Sequence, residues 1–237
     1  MSEALLILPT YNEAGNIERL IRELQDERLG LDILVIDDNS PDGTGLLAER
    51  LSTEAPLTVI HRKEERGLGS AHKLGLRYAM EHGYRFAMTM DADFAHSPRY
   101  CRQMLALASS ADVVIGSRYA PGGNFHKIGL LRPIISWTTH WLTTWILKLP
   151  YDCTGGFRLY SARVLQGIDW RKIRSDDHTF LIEILCCIQQ KGFSIQEFPI
   201  VIQPRHEGES KVSWSEMIRA ALSCIRLFLE ALTLRLG

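Results

Sequence analysis

Asp91 and Asp93 stand one residue apart in the stretch YRFAMTMDADFAHSP, directly behind the apolar run Phe86–Met90. Such a run, bounded by turn residues, reads as a buried strand, and the two carboxylates fall at its carboxyl end. On extended chain, residues two apart project the same way, so this pair is expected to share one divalent cation. Hard oxygen ligands suit Mg2+ or Mn2+, which usually bridge protein carboxylates to phosphate groups. His96, Ser97 and Pro98 follow as a turn and the start of a helix. In the blander reading Asp91 caps a turn and Asp93 is solvated, so the rest of the chain has to decide.

Other candidates sit at other strand ends. Tyr11 and Glu13 follow the first apolar run, and Asp37 and Asp38 follow the second. An acidic residue at the end of the second strand of a nucleotide-binding fold commonly bonds ribose hydroxyls. The dinucleotide fingerprint is missing, because only Gly15 follows the first strand and Gly67-Leu68-Gly69 completes no GxGxxG. No GxxxxGK[ST] occurs either. A nucleotide site without a phosphate-cradling loop must neutralise phosphates by a metal and by cations. Arg118, Arg132, Arg205 and Lys211 are the candidate cations, since guanidinium forks match phosphate oxygens. Each of them alone is more often a solvated surface charge.

The elements that position these residues alternate. Ala4–Leu8, Asp32–Ile36, Leu57–Ile60, Phe86–Met90 and Val113–Ile115 read as strands. Asn16–Arg28, a helix that Thr44 is placed to cap, a helix from Gly67 to about His82, and Tyr100–Ala108 separate them. This order predicts an α/β fold, a mostly parallel sheet with helices on both faces. Beyond Gly116 the pattern changes. Ser117–Gly129 reads as a loop and Leu131–Leu149 as a helix with Trp137, Trp141 and Trp145 on one face. That face is either core or an interfacial surface where tryptophan is favoured. Asp152–Tyr160 reads as a turn and strand, Ser175–Gln190 as a helix, and Ser194–Ile202 as an edge strand because of Pro199. Trp214 to about Arg235 reads as a closing amphipathic helix, open to packing, dimerisation or membrane contact.

Composition limits the classes. A net charge of −1 over 237 residues gives no bulk attraction for nucleic acid. The five cysteines form no CxxC, so neither a zinc site nor a disulfide framework is indicated, and buried thiols of a reducing compartment are expected. Met1–Leu8 lacks the basic start of a signal peptide. Ile134–Leu147, the most apolar stretch, is shorter than the roughly 20 residues that span a bilayer. A soluble or peripheral protein is expected.

Taken together, LPTYNE (8–13), DDNSPDGT (37–44), GLGSA (67–71), DADFAHSP (91–98), GSRYAPGG (116–123), TGGFRLY (154–160) and EFPIV with GESK (197–211) resemble the polyprenol-phosphate (dolichol-phosphate) mannose synthases. These are GT-A fold, family 2 glycosyltransferases. The likeness runs from Leu8 to about Lys211, and SPDGT, GSRY and GESK narrow it to the polyprenol-phosphate branch. It implies a catalytic domain over 1–212, with 131–149 as an acceptor or interface helix and 213–237 as a C-terminal amphipathic helix. GDP-mannose would lie against Pro9, Tyr11, Glu13, Asp38, Gly67, Asp91 and Ala92, with Mg2+ or Mn2+ on Asp91 and Asp93. The acceptor, a polyprenyl monophosphate, would be held by Arg118, Arg132 and Ser136, and Arg205 and Lys211 would close over the donor. The product would be the inverted β-mannosyl phosphate. The resemblance also implies a peripheral place on the cytoplasmic face of a membrane, with a small membrane-anchor subunit or a homodimer as partner.

Three departures stand out. Ala95 replaces a polar residue common in relatives, so metal affinity would be weaker or would lean on His96 or water, and His96 reads equally as a structural turn residue. Ser175–Glu183, SDDHTFLIE, differs from the usual glycine-rich start of that helix, and Gln203-Pro204 precedes Arg205 where an acidic residue is common. A UDP-sugar donor, a soluble acceptor and a non-catalytic binding subunit are the competing readings. The last conflicts with the simultaneous presence of Asp91, Asp93, Arg118, Arg132 and Lys211.

Overall fold

A computed structural model describes residues 2–63, 67–125, 141, 143–145 and 147–203. The apolar runs form β1 (Ala4–Thr10), β2 (Asp32–Asp37), β3 (Leu57–His61), β4 (Phe86–Thr89) and β5 (Val113–Ser117). Between them lie α1 (Ala14–Asp26), α2 (Thr44–Leu51), α3 (Leu68–Glu81) and α4 (Tyr100–Leu107). Then come β6 (Asn124–Phe125), β7 (Arg158–Ser161), α5 (Ala162–Gly167), a 3-10 turn at Trp170–Lys172, α6 (Phe180–Gln190), β8 (Ile195–Pro199) and β9 (Val201–Ile202).

Seven strands form one sheet in the order β3-β2-β1-β4-β7-β5-β8. Every pairing in it is parallel except those of β7, which runs antiparallel to both β4 and β5. This is the mostly parallel, helix-flanked sheet expected from the alternating pattern. Strands covered on both faces read as continuous apolar runs, and β1 shows why. Its Leu6 and Leu8 join a core with Ile17, Leu20 and Ile21 of α1 and Met104 of α4. Its Leu5 and Ile7 face the other way, among Ala71 and Leu76 of α3 and Phe180 and Ile184 of α6. Gly75 of α3 lets that helix lie close to the sheet, since a Cβ there would come within 2.5 Å of Ile7 Cγ2.

Several expectations are corrected. Part of the segment read as a loop, Asn124–Phe125, pairs in parallel with Val201–Ile202 as a separate two-stranded sheet. The stretch read as one edge strand therefore divides: β8 holds the edge of the main sheet and β9 belongs to the small one. Ser175–Thr179 is not helical. Glu183 accepts from the backbone N–H groups of Arg174 and Ser175 and from Ser175 Oγ, and Asp177 Oδ1 accepts from Thr179 N. Side chains that bond nearby backbone in this way compete with the helix. Thr44 is the first residue of α2, and left-handed Gly43, at φ 84°, holds the cap position. Of the helix expected over 131–149, Trp141 and Thr143–Trp145 are helical among the described residues. Among the described residues, no helix is long and apolar enough to cross a membrane. Cys101, Cys153 and Cys187 are buried and Cys186 half-buried, all as free thiols.

Topology fixes where a ligand can go. From β1 the chain steps outward to β2 and β3, then crosses to place β4 on the other flank of β1. In open α/β sheets the ligand crevice lies outside the carboxyl ends of strands at such a reversal. The ends of β1, β2 and β4 meet there, and they deliver Tyr11–Glu13, Asp37–Asp38 and Asp91–Asp93.

Candidate active site

The first two strand ends are laced together by backbone-to-side-chain bonds. Asn12 N donates to Ser40 Oγ at 3.0 Å, Glu13 N to Thr44 Oγ1 at 2.8 Å and Ala14 N to Asp42 Oδ2 at 2.9 Å. Three consecutive N–H groups at the start of α1, where a helix lacks internal acceptors, thus find partners in the SPDGT segment. Asn12, at φ 53°, makes the tight turn this requires. Glu13 is buried, and its carboxylate accepts from Asn16 Nδ2 at 2.8 Å. Pro9 and Tyr11 are half-exposed beside it.

Asp37 is held inside the turn, where it accepts from Ser40 N and Ser40 Oγ. Asp38 faces the other way into a two-pronged bond from Arg62, Nε to Oδ1 and Nη2 to Oδ2, each 2.6 Å. Gly67 N also donates to Asp38 Oδ2 at 3.0 Å, and Arg62 donates to Ser70 Oγ and Gly67 O. Asp38, Arg62 and Gly67 are therefore one unit. Gly67, at φ 134°, has no room for a side chain, because a Cβ would meet the Asp176 carbonyl oxygen at 2.4 Å. That same carbonyl accepts from Gly69 N at 2.9 Å. The atypical SDDH segment thus covers the start of α3.

At the end of β4 strand pairing stops at Thr89, and Asp91–His96 bends, with Phe94 at φ 62°. A bend, rather than the strand alternation expected, orients the two carboxylates. Asp91 keeps 35% of its side chain exposed, whereas Asp93 is buried and accepts from Ala95 N at 3.0 Å. His96 is buried and stacked on Phe157, with Nδ1 3.8 Å from Asp91 Oδ2 and no hydrogen-bond partner. Gly156 leaves the space that Asp91 occupies, since a Cβ there would lie 2.9 Å from Asp91 Oδ1. Among the described residues no group of three or more His, Cys, Asp and Glu converges on a common point. Asp91, partly exposed, and Asp93 offer hard carboxylate oxygens of the kind a divalent cation takes when a phosphate or water supplies its remaining ligands.

Arg118 follows β5 and meets a residue that sequence reasoning missed. Its Nε donates to Asp152 Oδ2 at 2.7 Å and its Nη2 to Oδ1 at 3.2 Å. Asp152 is fully buried. Burial alone would raise its carboxyl, but the Arg118 guanidinium beside it and Arg158 behind it hold it below the ordinary carboxylate range. Burial likewise opposes the charge of Arg118, and Asp152 more than restores it. Arg62 and Asp152 were overlooked because neither stands in a recognised spacing. The available signals were an arginine directly after a strand and an acidic residue opening a glycine pair. Arg132, Ser136, Arg205 and Lys211 lie outside the described residues, as do Trp137 and the C-terminal segment.

Residues 5–168 match the family "Glycosyl transferase family 2". The chain belongs to that family. Among curated relatives, the undecaprenyl-phosphate mannosyltransferase of Micrococcus luteus is 37% identical over 98% of both chains. The polyprenol monophosphomannose synthase of Mycolicibacterium smegmatis is 36% identical over 91% of this chain and 83% of the relative. Among solved structures, glucosyl-3-phosphoglycerate synthase of Mycobacterium tuberculosis, in complex with Mn2+ and UDP-glucose, superposes with a TM-score of 0.69. It covers 95% of this chain and 78% of that one at 16% identity. Mannosyl-3-phosphoglycerate synthase of Rubrobacter xylanophilus gives 0.66, covering 96% of this chain and 74% of that one at 17% identity. The fold is GT-A, and this family 2 chain is a glycosyltransferase.

Proposed function

We propose that the chain transfers mannose from GDP-mannose to a polyprenyl monophosphate, with inversion, yielding polyprenyl phosphate β-mannose and GDP. The observation that carries this reading is the 37% identity, over 98% of both chains, to the Micrococcus luteus undecaprenyl-phosphate mannosyltransferase. The nucleotide lies over the reversal between β1 and β4, against Pro9, Tyr11, Glu13 and the Asp38–Arg62–Gly67 unit, and reaches Asp91 and Ala92. Mg2+ or Mn2+ on Asp91 and Asp93 would offset the charge that the diphosphate gains on leaving. Arg118, with Arg132 and Ser136, holds the acceptor phosphate.

A phosphate monoester has its second pKa at about 6, so the nucleophile is ionised near neutral pH. It needs orientation more than it needs a base. One phosphate oxygen forms the bond to C1 while the bond from C1 to the diphosphate oxygen breaks, its electron pair leaving with GDP. Attack opposite the leaving group inverts the anomer. Arg205 and Lys211 close over the diphosphate and exclude water. The exposed Trp141 and Trp145 support a membrane surface shared with the lipid tail, and the enzyme would work peripherally on the cytoplasmic face.

The test is transfer of labelled sugar into the organic phase from GDP-mannose, UDP-glucose or UDP-GlcNAc, with a polyprenyl phosphate and Mg2+ or Mn2+. GDP-mannose alone is expected to serve. Asp93→Asn is expected to lower turnover at least about a hundredfold, as losing a stabiliser of developing charge does, and EDTA to abolish it. Transfer from a UDP-sugar instead would replace the donor. No lipid product with any donor would refute the acceptor.

A further inference from the structure

The Asp152–Gly156 loop touches both halves of the site. Asp152 sits at its buried end, and three donors of Arg118 converge on its Oδ2 and Oδ1: backbone N at 3.4 Å, Nε at 2.7 Å and Nη2 at 3.2 Å. Thr154 N, Thr154 Oγ1 and Gly155 N satisfy Oδ1 further. The loop is itself clamped. Asp152 N donates to Glu197 Oε1 of β8 at 2.7 Å, and fully buried Arg158 donates to the Asp152 and Cys153 carbonyls. A buried carboxylate is tolerated when it is paired and fully hydrogen-bonded, and this one is. At the other end of the loop are two contacts that leave no spare room. A Cβ on Gly155 would stand 3.2 Å from Arg118 Nη2, and one on Gly156 would stand 2.9 Å from Asp91 Oδ1.

We propose that Asp152 is a positioning residue that fixes the plane of the Arg118 guanidinium, and that its loop sets the separation between Arg118 and Asp91. In the reaction proposed above, on which this inference rests, that separation is the one between the acceptor phosphate and the donor diphosphate. An oriented nucleophile is what such a transfer requires, and a small displacement of the group that holds it is costly. Asp152 touches neither substrate. Its effect reaches them through Arg118.

The experiment compares the wild type with Asp152→Asn and Gly155→Ala, each alone and combined with Arg118→Gln. Asp152→Asn keeps shape and removes the charge that orients the fork; its effect is expected to resemble loss of a ligand-orienting partner, about 10–100-fold. That loss should fall on the KM for polyprenyl phosphate, while the KM for the sugar donor stays unchanged. Gly155→Ala, which keeps the carboxylate and displaces Nη2, should act in the same direction more weakly and carries the test if Asp152→Asn does not fold. Neither should add to the loss already caused by Arg118→Gln. In parallel, the Arg118 Nε–H resonance of 15N-labelled protein, protected in the wild type, should exchange rapidly in Asp152→Asn.

Equal rises in both KM values with a lowered Tm would overturn positioning in favour of a purely structural role. So would additivity with Arg118→Gln or an unchanged Nε–H resonance. A wild type that transfers no sugar to polyprenyl phosphate would refute the proposed reaction, and the Nε–H measurement would still decide the placement of Arg118.

Discussion

Asp91 and Asp93 differ more in surroundings than their spacing implies: one is half open and the other buried behind a bend. The adjacency of two acidic residues was legible in the sequence; their division of environment was not. His72 makes the same point in the core. It is fully buried on α3, stacked on Phe180, with neither ring nitrogen partnered. Burial, followed by the charges of Arg158 and His178, pushes its imidazole from 6.5 down to about 3. Between those values the unfolded chain holds a proton here that the folded chain does not. Stability from this site is therefore complete above about pH 6.5 and declines as pH falls, by up to about 1.4 kcal/mol per unit. Urea unfolding of His72→Leu across the same range is expected to show a shallower decline than the wild type. Parallel slopes would mean that the ring is protonated in the folded state.

Among the elements, the join between the first two strand ends is the clearest example of sequence motifs explained by a shared physical task. YNE and SPDGT were each visible as polar strand ends. Their mutual dependence was not, because the bonds between them span 28 to 31 residues. Thr44→Val keeps the side chain's volume and removes the acceptor for Glu13 N, a buried donor. An orphaned buried donor costs about 1–3 kcal/mol, so thermal or urea unfolding should register a loss of that size. The KM for the sugar donor should rise as well, since Glu13, at the cap of α1, belongs to the strand end proposed to hold the nucleotide. A loss of stability with an unaltered donor KM would remove that loop from the nucleotide site. The helix expected over Ser175–Gln190 shows the opposite case. Its first turn was lost to Glu183, which bonds the backbone N–H groups of Arg174 and Ser175, and to Asp177, which bonds that of Thr179.

For the molecule as a whole, the proposed lipid acceptor raises the question of which surface would meet a membrane. Trp141 and Trp145 are 56% and 70% exposed, with ring centroids 6.2 Å apart, while Thr143 on the opposite side is buried. That removes the core reading for these two residues and leaves an aromatic face toward solvent. Indole rings favour the membrane–water interface. Trp141→Ala with Trp145→Ala is expected to weaken co-sedimentation with anionic lipid vesicles severalfold while nucleotide affinity is retained. Undiminished vesicle binding would assign membrane contact to another surface.

The sequence by itself determined the strand–helix alternation, because strands buried on both faces must be apolar runs and the segments between them must be amphipathic. It also determined that acidic residues stand at the ends of the first, second and fourth strands, since those positions follow directly from where the runs stop. Tertiary structure alone decided that β7 would enter antiparallel between β4 and β5, a pairing that local pattern does not encode. That insertion carries the Asp152–Gly156 loop between Arg118 and Asp91. Burial then compels Asp152 to take Arg118 as its partner, because a carboxylate removed from water must find a cation wherever the fold brings one.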